Sequence, residues 1–228
     1  DIYLIDSVVA ASTAGAGNRK RFTLRSDFFY GELDGYFHLT TLANNVERLL
    51  YRNYPEFARM LRLTAPDSSA ILDEEFRFLI SVNDERGILR LIAPQIRALT
   101  GAFAQGTVDA FNEKTELRID IPRLSYGTTS FFNTAFFWQG IEKVGFYQAM
   151  LPEVDASGRH FAPLTLFGDI EQNKTDFTLR TEDKADTTRY YLRNVNINAS
   201  LRALDSVWEI RFNPSQLTLF NFSWAMYE

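Results

Sequence analysis

Imidazole, carboxylate and hydroxyl groups are the side chains here that could do acid–base or nucleophilic work. None of them falls in a spacing such work requires. His38 and His160, the only two histidines, lie far apart. Nothing beside either suggests a ligand pair or a triad, so both read as structural or surface residues. Asp73-Glu74-Glu75 could hold a divalent cation, but it directly precedes the alternating run from Phe76 and reads as a solvated turn. Glu182-Asp183-Lys184-Ala185-Asp186 lacks the spacing of an EF-hand loop and reads as a hydrated hairpin tip. Gly15-Ala16-Gly17-Asn18-Arg19-Lys20 fits neither phosphate-loop pattern, and no helical period follows it. No GxSxG occurs, so the nucleophile-elbow motif gives serine hydrolysis no support. Three N-x-S/T matches begin at Asn173, Asn198 and Asn221, the last two inside expected strands. The expectation is a protein that is not an enzyme and takes no cofactor and no metal.

Composition narrows the remaining roles. The chain has 228 residues and a formal net charge of -5. Its longest basic run is Arg19-Lys20-Arg21, too little for a phosphate-binding face, so no nucleic-acid partner is expected. There is no cysteine, which removes disulfides and thiolate metal sites. Twenty Phe and ten Tyr against three Met is a bias toward strands. Apolar runs are only a few residues long, far short of the roughly 20 that span a bilayer. The first residue is Asp1, and the chain is expected to be a piece of something longer, with any anchor outside it.

The elements that must position any site are mostly strands. Val195, Ile197, Ala199 and Leu201 alternate with polar residues, as do Trp208, Ile210 and Phe212, then Leu217 and Leu219. A period of two gives one apolar and one polar face. Similar runs occur at 2–11, 22–25, 30–37, 76–82, 101–111, 117–126 and 164–179. Residues 41–61 break the pattern: Leu42, Val46, Leu49, Leu50, Phe57 and Leu61 recur at helical steps. Thr40 or Thr41 is placed to cap that helix, and Pro55 to kink it or start a second one. Segments 88–99 and 131–151 fit more than one element, and 12–20, 152–163 and 180–188 read as loops. The chain divides into strands plus an inserted helix over 1–111 and a β-rich groove segment over 112–228. On alternation alone a closed sandwich and an open curled sheet are both consistent, and the sandwich is the simpler.

The order of segments resembles the TamB and AsmA-like family of the Gram-negative envelope. The resemblance runs through Phe22 to Leu39 (FTLRSDFFYGELDGYFHL), a helix ending in Tyr54-Pro55, and Glu75 to Val82 (EFRFLISV). It resumes at Asp186 to Arg189 (DTTR), Asp205 to Ile210 (DSVWEI) and Pro214 to Leu219 (PSQLTL). It covers most of the chain and rests on pattern, without an invariant motif. What it implies is a mainly β fold, a long curled antiparallel or mixed sheet forming a taco-like open groove. The protein would be a periplasmic segment of a longer chain anchored in the inner membrane. The groove would take phospholipid acyl chains between the two membranes, and a TamA-like outer-membrane barrel would be a partner. The groove-lining candidates are Phe177, Leu179, Val195, Ile197, Leu201, Trp208, Ile210, Phe212, Leu217 and Leu219. The inserted helix departs from a pure β-taco and interrupts the expected groove.

Overall fold

Alternation is expressed almost everywhere the sequence carries it. In the computed structural model, which describes residues 7–60, 62–63, 74–91, 93–181, 190, 192–204, 207–219 and 222–227, sixteen strands form one open sheet. They are β1 (Val8–Ala14), β2 (Lys20–Ser26), β3 (Phe29–Tyr36), β4 (Glu75–Asp84), β5 (Ile96–Asp109), β6 (Lys114–Tyr126), β7 (Thr129–Ile141) and β8 (Val144–Leu151). The second half adds β9 (Glu153–Ala156), β10 (Arg159–Phe161), β11 (Leu164–Glu171), β12 (Lys174–Thr181), β13 (Leu192–Leu204), β14 (Val207–Phe212), β15 (Ser215–Leu219) and β16 (Phe222–Met226).

The main path runs β1-β2-β3-β4-β5-β6-β7-β8-β11-β12-β13-β15-β16, and its pairings are antiparallel throughout. No parallel pairing occurs among the described residues, so the mixed alternative drops out. β5 and β6 pair along their length across residues 111 and 112, so the two halves read from the sequence are one sheet. β8 and β9 lie end to end along β7, and β14 and β15 lie end to end along β13.

Local expectations are sharpened or corrected. At Pro55 the helical stretch divides, one of the two outcomes expected there, into α1 (Leu42–Asn53) and α2 (Pro55–Met60). Pro55 cannot donate a hydrogen bond and disfavours α geometry in the residue before it. Tyr54 accordingly leaves the helix at φ -135, ψ 62. Thr41 is the N-cap, but its side chain makes no capping bond. The ambiguous 131–151 is the β7–β8 hairpin, turned at Glu142 with φ 52. The expected loop over 152–163 carries the short β9–β10 hairpin, and the loop over 12–20 starts only after Ala14. The Glu182–Asp186 tip, Asp73, Asp205 and the segment Asp186–Arg189 lie outside the described residues.

One transverse row breaks the hydrogen-bond ladder. Continuing the pairings places Gly101, Pro122, Asn133, Pro152 and Pro163 opposite one another across adjoining strands. The prolines have no N–H to give. Gly101 and Asn133 take left-handed backbone, φ 65 and φ 53, as bulge residues do. The row is a break in the ladder, and β5, β6 and β7 cross it instead of ending there.

The sheet is not packed on a second sheet. The accessible surface of the whole chain is 14478 Å², against roughly 10,600 Å² for a compact monomer of this mass. Buried apolar residues are few. They include Leu49, Tyr54 and Ala58 on and between the helices and Ala203 beside Trp208 in the ladder.

Candidate functional site

Residues directly opposite in an antiparallel pair point to the same side of the sheet. The pairings therefore trace what each face carries. One row passes through Ala10, Leu24, Gly31, Ile80, Ala104 and Ile119. It continues through Phe136, Ala149, Leu166, Leu179 and Ile197. All of these are apolar or glycine. The next row runs Phe22, Leu33, Phe78, Gly106, Leu117 and Trp138. It carries on through Tyr147, Gly168, Phe177, Ala199 and Phe212. One residue along each strand the side chains change character, as in Thr23, Glu32, Leu79, Gln105 and Arg118. One face is a continuous apolar ribbon, and the other is mixed and polar.

All ten sequence candidates fall on the apolar side of this division. Phe177, Leu179, Ile197 and Leu201 lie in register on β12 and β13 and are partly exposed. Trp208, Ile210 and Phe212 of β14 sit opposite Ala203, Leu201 and Ala199, and are 42%, 54% and 51% exposed. Leu217 and Leu219 of β15 pair with Trp224 and Phe222, which are exposed. Val195 is the exception, 3% exposed beside a bulge at Asn194. The candidates cover only the C-terminal end of the ribbon. Phe22, Leu24, Phe78 and Ile80 continue it through the half read as strands plus helix, and Ile119 and Phe136 join the two. Their alternation was visible in the sequence, but their alignment into rows depends on register.

Aromatic rings smooth the ribbon by lying over glycines. Tyr147 crosses Gly168, where an added Cβ would stand 2.8 Å from the phenol oxygen. The Tyr147 hydroxyl shares a 2.9 Å hydrogen bond with Thr175 Oγ1, and burial pushes its pKa up. Trp138 lies over Gly145 and donates its indole N–H to Thr115 Oγ1 at 2.8 Å.

The helices sit at one margin of the ribbon. Tyr54 packs edge-on to Trp138 at 5.7 Å between ring centroids, and Phe57 against Trp208 at 5.1 Å. Arg52 forms an ion pair with Glu113 in the β5–β6 turn. Burial pushes the Tyr54 hydroxyl up to about 12. Rows farther from this margin, such as Leu166, Leu179 and Ile197, stay partly exposed. The insertion interrupts one edge of the ribbon and leaves its middle open.

The polar face has its own electrostatics. Asp34, 7% exposed, accepts hydrogen bonds from Arg19 at 2.7 Å and Arg77 at 2.9 Å, with Arg21 at 3.5 Å. The Arg19 and Arg77 bonds hold its carboxyl below the usual range. Tyr30 donates to Glu32 at 2.6 Å, and that bond raises the phenol's pKa. Shallow concavities of about 450 Å³ and 640 Å³ are lined mainly by this face, the first by Glu32, Arg77, Gln105 and Arg118. Polar and apolar side chains share their linings, with Leu79 and Phe137 in the first and Val195, Leu217 and Trp224 in the second.

Among the described residues, the histidines and their acidic neighbours do not converge. His38 is exposed, and its backbone N–H donates to Glu74 at 3.2 Å, which gives Glu74 a structural role. His160 Nδ1 lies 3.9 Å from Asp155 on the β9–β10 hairpin, and Ser130 and Ser125 follow in the same row. That order puts the carboxylate between imidazole and hydroxyl, whereas proton abstraction needs the imidazole in the middle. No group of three or more potential metal-ligating side chains occurs among the described residues. No described helix is long and apolar enough to cross a membrane. Comparisons with protein-family models, curated proteins and solved structures return no match.

Proposed function

We propose that this chain is an apolar trough for phospholipid acyl chains, a periplasmic segment of a TamB-like envelope protein that helps lipids pass between the inner and outer membranes. The observation that carries this reading is the eleven-residue row from Ala10 to Ile197, apolar or glycine at every strand it crosses, on a face that no second sheet covers. Thirteen strands in sequence along the path at about 4.8 Å spacing give a ribbon about 58 Å long. That exceeds the roughly 30 Å hydrocarbon core of a bilayer. An acyl chain in water costs about 0.8 kcal/mol per CH₂, and a ribbon of this length offsets that cost along a path without chemistry. Apolar patches on soluble monomers seldom exceed a few hundred Å², so a face of this size calls for an occupant.

The resemblance supplies the setting, an inner-membrane-anchored protein working with a TamA-like outer-membrane barrel and contributing to lipid transport, outer-membrane protein assembly or both. The competing reading, a closed sandwich acting as a binding or adhesion module, needs a second layer over the ribbon, and the described strands form one layer. Native mass spectrometry of the purified protein tests the proposal. Co-purified phospholipid is the expected result. A lipid-free protein that neither binds phospholipid nor speeds its transfer between vesicles overturns it.

A further inference from the structure

We infer that α1 and α2 form a lid that undocks from the trough margin while the sheet stays folded. The inference rests on reading the apolar face as a site that must open to a guest, and four observations carry it. First, α1 has 12 residues and α2 has 6, and isolated helices shorter than about 12–15 residues are marginal in water. Second, the start of α1 is poorly secured: Thr41 makes no capping bond, and its first turn holds no acidic residue. The pair therefore depends on docking for its stability.

Third, the docking joint is itself costly. Asn53 Oδ1, the Tyr54 hydroxyl and Glu56 Oε2 are all enclosed with no hydrogen-bond partner among the described residues. Three such atoms within four residues form a concentration of unsatisfied groups, and each penalises the docked state. Undocking returns all three to water. Fourth, the docking contacts are those a guest would compete for. Tyr54 covers Trp138 and Phe57 covers Trp208, and both tryptophans belong to the apolar face. An acyl chain reaching them replaces ring contacts with alkyl contacts and leaves no polar atom enclosed. Lid and guest thus exclude each other at this margin.

Amide hydrogen exchange on the whole chain tests the inference. Without lipid, amides of α1 and α2 are expected to exchange at least about tenfold faster than those of β6 and β7, through an opening that leaves the sheet protected. Tyr54→Phe, which removes one enclosed hydroxyl, is expected to slow helix exchange at least about fivefold. Phe57→Ala is expected to speed it at least about tenfold with sheet exchange unchanged. Helix amides that exchange only with global unfolding overturn the lid. So does a Phe57→Ala variant whose sheet loses protection together with its helices. Adding vesicles of phosphatidylethanolamine and phosphatidylglycerol is expected to speed helix exchange further. Independent opening that ignores the vesicles upholds the lid and counts against the phospholipid reading.

Discussion

Ile210→Asp separates an open trough from an enclosed core. Ile210 sits on β14 opposite Leu201 and is already 54% exposed. Full burial of an isoleucine contributes about 1.5–3 kcal/mol, so losing the buried half costs the fold roughly 1 kcal/mol. The weaker strand preference of aspartate adds no more than about 1 kcal/mol. The lipid-free protein should therefore lose about 1–2 kcal/mol in urea unfolding and remain folded. The guest meets a different penalty. A carboxylate set against hydrocarbon costs about 2.5–3.5 kcal/mol on the insertion scale. At 1.4 kcal/mol per tenfold, this weakens binding by about 60- to 300-fold. The assay is titration with a fluorescent phospholipid beside urea unfolding of the same preparation. Binding within about threefold of wild type would refute the trough. A stability loss above about 3 kcal/mol would show that the face is enclosed, and the reasoning from exposure would fail. Ile197→Asp, at a less exposed position, should lose binding equally and more stability.

Three further outcomes follow from the geometry. Gly168→Ala forces a methyl against the Tyr147 ring and the Asp176 carbonyl and should destabilise the protein by about 1–3 kcal/mol in urea; a change under about 0.5 kcal/mol would mean the ring moves aside freely. Tyr54, pushed up to about 12 by burial, stays protonated in the folded state while the unfolded phenol titrates near 10. Wild type should therefore lose about 1–2 kcal/mol relative to Tyr54→Phe as pH rises from about 10 to 12, solvent screening trimming the full linkage value, and parallel stability–pH curves would contradict this. Asp34→Asn leaves Arg19, Arg21 and Arg77 facing no charge at that position. With the arginines half exposed, the cost at neutral pH should be about 1–2 kcal/mol. Because the Asp34 carboxyl is held low, wild type should lose this advantage as pH falls below about 4. A variant equal to wild type at pH 7 would discount the cluster.

The apolar face was legible wherever a strand had clean alternation, as at Leu117, Ile119 and Ile121 or at Ile197, Ala199 and Leu201. What alternation could not supply was the number of layers, because a sandwich and an open trough impose the same period of two. It also hid features that depend on neighbouring strands. Ile141, Val144 and Tyr147 mimic a helical step because a turn at Glu142, a residue uncommon with φ above zero, falls inside the spacing. The bulge at Asn194 shifts register, so Leu192 pairs with Leu219 while Asn196 pairs with Gln216. The proline row was invisible as a row, since Pro122, Pro152 and Pro163 meet only after the strands align. Pro55 was the opposite case, where a local rule sufficed to divide the helices.

The order of pairing also bears on how such a protein is made and enlarged. Almost every strand on the path pairs with the strands before and after it in sequence, the β8–β11 step over the β9–β10 hairpin being the main detour. Each new hairpin can therefore zip onto an edge already present, and the chain can assemble in the order of its synthesis with short loop closures. Inserting two alternating strands with a turn would extend the ribbon by about 9.6 Å without disturbing contacts elsewhere. Length becomes a property that duplication of hairpins can tune, and damage to a terminal strand would shorten the path before it dissolved the fold.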